Sequence, residues 1–363
     1  MKPIFLLIPV SIFLISCTTR PVTPLSTAES TPAVQPWEDG IRTNPENSEF
    51  EWWYFDFSFT DGSTAVIVFS TKNILKPGGK SDPGVSIVIT APDGTKEKIS
   101  DSPGEKAFYA SSDNLDIKTG NSFVKGNLSS CRIHFEKDDV YADLHLISEA
   151  PAWRPGSGKL YFDPEKKKYF AWLAAIPYGS VKGTLHYNGK TIDVSGTGYH
   201  DHNWGNVRLD RVMTQWYWGR ARLGKYTLIF SQMLTSPKYG SLKLPVFYLA
   251  EEDKILSKKD FNFTLIPSEW RRQEGGRDYP EKIVMDITQK NLHAEIAVTR
   301  PVFIEAQYLL SGAPWIVRVL SRPFVNPWYF RFNADFTLSL ENSQGKGNRK
   351  NTGIFEMMML RGL

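Results

Sequence analysis

The stretch that decides the fold class is Gly183-Thr-Leu-His-Tyr-Asn-Gly-Lys-Thr-Ile-Asp-Val194. Its centre, Asn188-Gly189, is the dipeptide preferred in a type I′ turn, where both central residues have positive φ. The flanking runs contain Thr, Leu, Tyr, Ile and Val, which favour strands. The stretch therefore predicts a β-hairpin that joins strand Gly183–Tyr187 to strand Lys190–Val194.

Strand signals of the same kind fill most of the chain. Short segments rich in β-branched or aromatic residues recur from Glu51 to Leu360, separated by Gly, Pro, Asp or Asn. No segment is convincingly helical. Many short strands joined by turns are typical of antiparallel sandwiches and barrels, so the sequence predicts an all-β fold. The charged stretches Glu251–Asp260 and Ser268–Arg277 are expected to be solvated connections.

Length and composition set the scale of the protein. The chain has 363 residues, of which 41% are hydrophobic and 13% aromatic, enough for a sizeable core. This length suggests two domains, with a boundary near Gly205, where a Gly-, His- and Asp-rich stretch interrupts the strand rhythm. We expect an N-terminal domain over residues 37–204 and a C-terminal domain over residues 205–363. The net charge of +4, without a cationic stripe, argues against nucleic acid as a partner.

The N-terminus has the features of an export signal. A basic start, Met1-Lys2, precedes an apolar segment from Ile4 to Ile15. The run Leu14-Ile-Ser-Cys17 resembles the lipobox of bacterial lipoproteins, whose cysteine carries the lipid. The alternative is an ordinary cleaved signal with a chance cysteine. We expect a signal peptide over residues 1–16, lipid on Cys17, and a flexible tether rich in Thr and Pro over residues 17–36.

This signal predicts an exported, lipid-anchored protein. In a Gram-negative host it would lie on the periplasmic face of the outer membrane, held to the membrane by its N-terminal lipid. With Cys17 consumed by lipid, Cys131 is the one remaining thiol, so no intrachain disulfide can form. Cys131 lies in a strand-like run and is expected to be a buried small hydrophobe.

The densest group of polar and aromatic residues is Gly198-Tyr-His-Asp-His-Asn-Trp-Gly205. In an extended chain His200 and His202 point to one side and Asp201 to the other. Three interpretations stay open: half of a zinc or copper site, a corner between the domains, and a catalytic or ligand-anchoring cluster. The sequence marks no third metal ligand, so we expect no metal and no cofactor.

Aromatic residues accompany charge at two further places. In Glu51-Trp-Trp-Tyr-Phe-Asp56, alternation puts aromatic bulk and a carboxylate on each face, as expected of a strand buried on both sides. Core packing explains most of these aromatics, but burial raises the pKa of a carboxyl and makes it a candidate acid. In Trp216-Tyr-Trp-Gly-Arg-Ala-Arg222, Arg220 can pair with Trp218 or neutralise a buried acid.

Together these motifs resemble the superfamily of carotenoid 1,2-hydratase (hydroxyneurosporene synthase) and AttH-like proteins. The final strand, Gly353-Ile-Phe-Glu-Met-Met-Met-Leu-Arg361, is similar to the C-terminal strand of that family. The resemblance extends from about residue 37 to the C-terminus, and the octamer around His200 is its most specific part. It implies two lipocalin-like antiparallel β-barrels in tandem. It also implies chemistry on prenyl groups, either hydration of a terminal double bond or guided cyclisation.

The resemblance also implies a site. The candidate catalytic residues are His202 and Trp204, with Tyr199, His200 and Asp201 beside them, and Glu51. Glu51 and Asp201 are the candidates for the acid that protonates carbon, after which aromatic faces would stabilise the cation. The candidate ligand-binding residues are Trp53, Tyr54, Trp216, Trp218, Arg220 and Tyr226.

One departure from the family pattern bears on activity. The hydratases are expected to carry a tyrosine and a carboxylate on the strand after Trp-Gly-Arg, but here that strand has Tyr226 and Ser231 and no carboxylate. Three hypotheses follow. The protein is a hydro-lyase or isomerase for a hydrophobic, isoprenoid-like molecule near the domain interface, a non-catalytic carrier of an apolar ligand, or a metal protein that uses His200 and His202.

Overall fold

The computed structural model describes residues 33–361, except 45, 73–77, 259, 274–276, 311–326 and 343–344. The predicted signal peptide, the lipidated Cys17 and the tether as far as residue 32 lie outside the described residues, so these expectations stay predictions. Within the described ranges, no helix combines the length and the apolar character needed to cross a membrane.

The first sheet has twelve strands. In chain order they are β1 (Phe50–Phe59), β2 (Thr64–Ser70), β3 (Gly84–Thr90), β4 (Lys96–Asp101), β5 (Phe108–Ala110), β6 (Asp116–Thr119), β7 (Ser122–Gly126), β8 (Ser130–Lys137), β9 (Val140–Ser148), β10 (Lys159–Tyr161), β11 (Tyr169–Tyr187) and β12 (Lys190–Gly205). The order across the sheet is β4-β3-β2-β1-β12-β11-β9-β8-β7-β6-β5, and β10 pairs with β11 beside this path.

The second sheet has nine strands. They are β13 (Met213–Leu223), β14 (Tyr226–Thr235), β15 (Lys243–Glu251), β16 (Lys254–Ile255), β17 (Asn262–Arg272), β18 (Asp278–Gln289), β19 (Leu292–Tyr308), β20 (Trp328–Asn342) and β21 (Gly345–Met359). Their order is β16-β15-β14-β13-β21-β20-β19-β18-β17. The chain passes from the first sheet to the second through one short helix, α1 (Leu209–Val212).

The two antiparallel sheets curl into half-barrels, which confirms the predicted all-β fold and its lipocalin-like architecture. Apart from α1, the helical elements that the structure describes are three 3₁₀ turns at Pro36–Asp39, Glu105–Ala107 and Pro237–Tyr239. Each sheet encloses a hydrophobic core of its own, and a third cluster of buried residues draws on both sheets. Cys131 is buried in the first of these cores, as expected.

The predicted hairpin is confirmed, but its strands are longer than the sequence suggested. Tyr187 pairs with Lys190, and the two turn residues between them have φ of 52° and 67°. Strand β11 continues through Pro177, although proline has no N–H to donate to a neighbouring strand. The pairing register of β11 with β12 shifts on either side of Ile176, and the resulting bulge accommodates the proline. Strand β12 includes the whole octamer around His200, so the interpretation of that run as a corner between domains is wrong.

A second correction concerns the charged stretches. Ser268–Arg277 was expected to be a connection, but its residues 268–272 belong to β17, which forms an edge of the second sheet. Edge strands tolerate charged side chains because one side of the strand has no partner to exclude water. Within Glu251–Asp260, Lys254–Ile255 forms the two-residue strand β16 and the other described residues after Glu251 are connections.

Candidate functional site

A cavity of about 320 Å³ lies between the two sheets. Much of its wall is aromatic, formed by Trp52, Tyr54, Phe170, Trp172, Trp216, Trp218 and Tyr329. The polar and charged side chains that line it are Asp201, Asn203, Ser231, Glu305 and Glu356. A mainly apolar cavity with a few placed polar groups is typical of a site for a small organic molecule.

Alternation along the central strands decides which side chains reach this cavity. On β1, Trp52 and Tyr54 line it, whereas Trp53 packs in the core of the first sheet. On β12, Asp201 and Asn203 line it, and the histidines on either side of Asp201 face the other way. The two strands pair with each other, and the side chains on both of their faces here are buried or half-buried.

Asp201 is the carboxylate that the first sheet contributes. Its Oδ2 accepts hydrogen bonds from the Tyr199 hydroxyl at 2.9 Å and from Trp172 Nε1 at 3.1 Å. Its Oδ1 accepts one from Asn203 Nδ2 at 2.7 Å. Burial raises the pKa of Asp201 to about 6, although these donors and His200 act in the opposite direction. The carboxylate is therefore largely ionised at neutral pH and held in one orientation.

Glu356 is the carboxyl that the second sheet contributes. Its Oε1 accepts hydrogen bonds from the Tyr329 hydroxyl at 2.6 Å and from the hydroxyl of Tyr54, which belongs to the first sheet, at 3.3 Å. Arg331 Nε lies 3.5 Å from the same oxygen. Burial raises the pKa of Glu356 to about 7, against the opposing effects of Arg331 and Tyr329. Glu356 is thus partly protonated at neutral pH.

The second carboxyl oxygen of Glu356 is available for chemistry. Both tyrosine hydroxyls donate to Oε1, and among the described residues no hydrogen-bond partner faces Oε2. A proton on Oε2 can therefore be transferred to a molecule in the cavity. The two carboxyls differ in pKa, and such a difference is how an active site separates an acid from a base or a cation stabiliser.

Sequence reasoning missed Glu356. In the second sheet Trp218 pairs with Ser231 of β14 on one side and with Glu356 of β21 on the other. The carboxylate that the sequence lacks at Ser231 is thus present on the opposite neighbour of Trp218. The sequence does contain a signal for Glu356. The apolar run Ile354-Phe-Glu-Met-Met-Met359 predicts a buried strand, and a carboxyl buried in such a strand has a perturbed pKa.

Arg220 neutralises a buried acid, which is one of the two roles that the sequence left open. Its Nε and Nη2 donate to Asp56 Oδ2 at 3.0 and 2.7 Å, and Arg331 Nη2 donates to Asp56 Oδ1. Asp56 belongs to the first sheet and both arginines to the second, so this charge triad joins the sheets next to Glu356. Of the other candidate ligand-binding residues, Tyr226 packs in the core of the second sheet and does not line the cavity.

Two predicted catalytic histidines lie on the far side of β12. His202 Nε2 donates to Glu51 Oε1 at 2.6 Å, and His200 Nε2 donates to Asp39 Oδ2 at 3.1 Å. Burial lowers the pKa of His200, but the charge and hydrogen bond of Asp39 outweigh that effect and raise it overall. All four side chains are buried in the first half-barrel and none lines the cavity.

Two tryptophans complete this buried histidine cluster. The rings of Trp53 and Trp204 pack against the imidazole of His202, with centroids 4.8 and 4.7 Å away. Trp53 Nε1 also donates to the Asp39 carbonyl at 3.0 Å, which ties the 3₁₀ turn Pro36–Asp39 into the half-barrel. The structure therefore brings Asp201 to the cavity, with Tyr199 buried behind it as a hydrogen-bond donor, but not His200, His202, Trp204 or Glu51. The catalytic roles of these residues stay predictions.

The histidine cluster also bears on the metal hypothesis. In the part of the chain that the structure describes, no group of three or more His, Cys, Asp or Glu side chains could hold a metal ion. The two imidazoles instead form hydrogen bonds to different carboxylates. The geometry of the described residues therefore gives the metal hypothesis no support.

His202→Leu tests what this cluster does. The substitution leaves the carboxylate of Glu51, which has no exposed surface, without its imidazole partner. We expect the free energy of unfolding to fall by about 3–5 kcal/mol, measured by urea denaturation. His145→Leu, at an exposed position on β9, is the matched control and is expected to change it by less than about 0.5 kcal/mol. A His202 variant as stable as the wild type but inactive would support the catalytic role that the sequence predicted.

Comparison with known proteins identifies the family. A sequence profile described as AttH-like matches residues 89–307, more than half of the chain. The chain belongs to the AttH-like family. This AttH-like protein is 26% identical over 201 residues to the quinolone epoxide rearrangement protein asqO of Emericella nidulans, covering 51% of this chain and 54% of that one. It is 28% identical over 126 residues to the ceramide-binding protein svf1 of Schizosaccharomyces pombe, covering 33% and 32% of the two chains.

Solved structures share the fold of this AttH-like protein. The crystal structure of CghA with Sch210972 aligns with a TM-score of 0.61 at 13% identity, over 91% of this chain and 96% of that one. An AttH protein from Nitrosomonas europaea aligns with a TM-score of 0.56 at 16% identity, over 92% and 98%. Kievitone hydratase from Nectria haematococca aligns with a TM-score of 0.55 at 14% identity, over 94% and 98%. The chain spans about half the length of the epoxide rearrangement protein that it matches.

Proposed function

We propose that the cavity between the sheets binds a hydrophobic, isoprenoid-like molecule and that the protein hydrates or isomerises a double bond in it by acid catalysis. The observation that carries this proposal is Glu356, a buried carboxyl whose raised pKa leaves it partly protonated at neutral pH inside a mainly aromatic cavity. Relatives named for epoxide rearrangement, and a shared fold with a hydratase, support chemistry of this kind.

The first step is transfer of a proton from Glu356 to carbon. The electron pair of the double bond forms the new C–H bond, which leaves a carbocation on the neighbouring carbon and a carboxylate on Glu356. Tyr329 and Arg331 stabilise that carboxylate, because one donates to Oε1 and the other carries a positive charge 3.5 Å away. The same contacts hold the carboxyl in place before transfer.

The second step removes the positive charge. Aromatic faces such as those of Trp52, Trp216 and Trp218 stabilise a cation in the cavity, and the ionised Asp201 adds an attractive charge. In hydration, water forms a C–O bond to the cation and loses a proton to a carboxylate. In isomerisation, the cation itself loses a proton from an adjacent carbon to a carboxylate, and the double bond forms at a new position.

A carrier without catalytic activity is the second candidate function. The similarity to a ceramide-binding protein over a third of the chain favours it. Export and a lipid anchor on Cys17 belong to this proposal as well, and would place a carrier at the periplasmic face of the outer membrane.

Mass spectrometry of bound and converted lipids separates the two candidates. The purified protein is extracted with organic solvent directly, and again after incubation with prenylated lipids in oxygen-labelled water. A product heavier by one labelled water is the expected result for a hydratase, and a product of unchanged mass but different chromatographic retention is expected for an isomerase. Recovery of every bound lipid unaltered would reject catalysis and support the carrier.

A further inference from the structure

A second cavity, of about 550 Å³, lies between the same two sheets. It shares strands with the first cavity: β1 contributes Tyr54 to the first and Ser58 to the second, β13 contributes Trp218 and Arg222, and β20 contributes Tyr329 and Asn333. On each strand, the residue midway between these two belongs to the charge triad: Asp56 on β1, Arg220 on β13 and Arg331 on β20. The triad therefore separates two cavities of different character.

The second cavity has a positive wall. Two arginines, Arg220 and Arg222, are among its lining residues, and none of the described residues that line it is Asp, Glu or Lys. Asp56 neutralises Arg220. Arg222 is half-buried and its partners are neutral: its Nη1 donates to Thr227 Oγ1 at 2.7 Å and its guanidinium lies 5.0 Å from the centre of the Tyr178 ring.

The charge of Arg222 is thus left without a carboxylate. Across the described part of the chain, no Asp or Glu oxygen lies within 4.0 Å of its guanidinium nitrogens. A partly buried guanidinium has lost water and gains most from an anion, because its planar donors match carboxylate and phosphate oxygens. This arrangement points to a negatively charged group in the cavity.

The rest of the wall adds hydrogen-bonding groups and apolar surface. Asn333 and Thr197 are polar lining residues. At the rim, Val302 is 66% exposed and Ile304 is half-buried, so apolar surface faces solvent beside a cation, whereas the neighbouring Phe303 ring packs against core aromatics of the second half-barrel. A single class of ligand satisfies both features: an organic anion that carries an apolar chain.

We propose that this second cavity is a separate binding site for a carboxylate or phosphate with an apolar chain. Arg222 binds the anionic group, and Val302 and Ile304 cover the chain. Binding at this site does not require Glu356 or turnover in the first cavity. The proposal can therefore be tested separately from the proposed catalysis.

Calorimetric titration of the full chain with decanoate, decyl phosphate and the neutral control decanol tests the proposal. We expect saturable binding of at least one of the two anions, at least about 10-fold tighter than decanol, because a charge-assisted hydrogen bond is absent with the alcohol. Whichever of decanoate and decyl phosphate binds more tightly identifies the anionic group. Binding of decanol as tight as that of both anions would overturn the proposal.

Two variants locate the site. Arg222→Gln is expected to weaken anion binding by about 10–100-fold, and Arg222→Lys, which keeps the charge, is expected to recover part of it. Val68→Trp fills the first cavity, which Val68 lines, and is expected to leave anion binding unchanged. Circular dichroism confirms that each variant is folded. Loss of binding in Val68→Trp with full binding in Arg222→Gln would place the anion in the first cavity and refute the second site.

Discussion

Replacing Asp56 by Asn is expected to lower the free energy of unfolding by about 3–5 kcal/mol. Asp56 has no exposed surface and accepts hydrogen bonds from Arg220 and Arg331, which are 7% and 2% exposed. An amide cannot compensate two guanidinium charges that have already lost most of their water. Because the carboxylate is on one sheet and the arginines on the other, the substitution also weakens the contact between the sheets. Urea unfolding followed by tryptophan fluorescence measures the loss.

An exposed pair with the same chemistry provides the control. Arg132 Nε and Nη2 donate to Asp143 at 2.9 and 2.5 Å, but the Arg132 side chain is 61% exposed. We expect Asp143→Asn to cost less than about 1 kcal/mol, since water already solvates both charges. Equal losses at the two positions would contradict the argument. Replacing all three residues of the triad by Leu or Met should recover part of the stability that Asp56→Asn loses, because no unpaired charge remains.

Replacing Glu356 by Gln is expected to lower turnover of an active prenyl substrate by about 10²–10⁴-fold with little change in ligand affinity. Glutamine keeps a carbonyl oxygen that can accept from Tyr329, so the cavity retains its shape, but it has no proton to transfer to carbon. Turnover measured at saturating substrate, with affinity from equilibrium binding, separates these two effects. Glu305→Gln alters another carboxyl in the cavity wall and is the matched control, with an expected loss below about 10-fold.

The pH dependence of turnover also tests whether Glu356 is the acid. The pKa of Glu356 is raised to about 7 by burial, and the protonated form is the one that donates. Activity therefore falls as the pH rises through about 7, because Glu356 loses its proton. It also falls as the pH drops below about 6, because Asp201 then loses the negative charge that stabilises the cation. If the Glu356→Gln variant kept the wild-type rate and the same pH profile, Glu356 would not be the acid.

Local sequence was enough for some features because they depend on neighbouring residues only. Asn188-Gly189 specified the hairpin through its preference for positive φ, and the alternation at Glu51–Asp56 correctly separated the residues on the two faces of β1. Local reasoning began the first hairpin strand at Gly183, whereas β11 begins at Tyr169 and continues through Pro177, where a bulge removes the usual penalty of proline.

The candidate acid could not be found in this way. Ser231 and Glu356 are far apart in the chain, and the sheet brings them to opposite sides of Trp218. Which strand is the neighbour of another is a property of the whole sheet. That the carboxylate absent from β14 is present on β21, on the other side of β13, is therefore visible only in three dimensions.

The sequence by itself determined that the chain is all-β, that β1 is buried on both faces, and that His200 and His202 share a side opposite to Asp201. Period-two alternation and turn chemistry are local, and they act whatever the rest of the chain does. Only the tertiary structure decided which side of β12 faces the core of the first half-barrel and which side faces the cavity between the sheets. The first half-barrel and the 3₁₀ turn at Pro36–Asp39 enclose the histidines, and the second sheet covers Asp201, because burial depends on what packs against a face and not on the face alone.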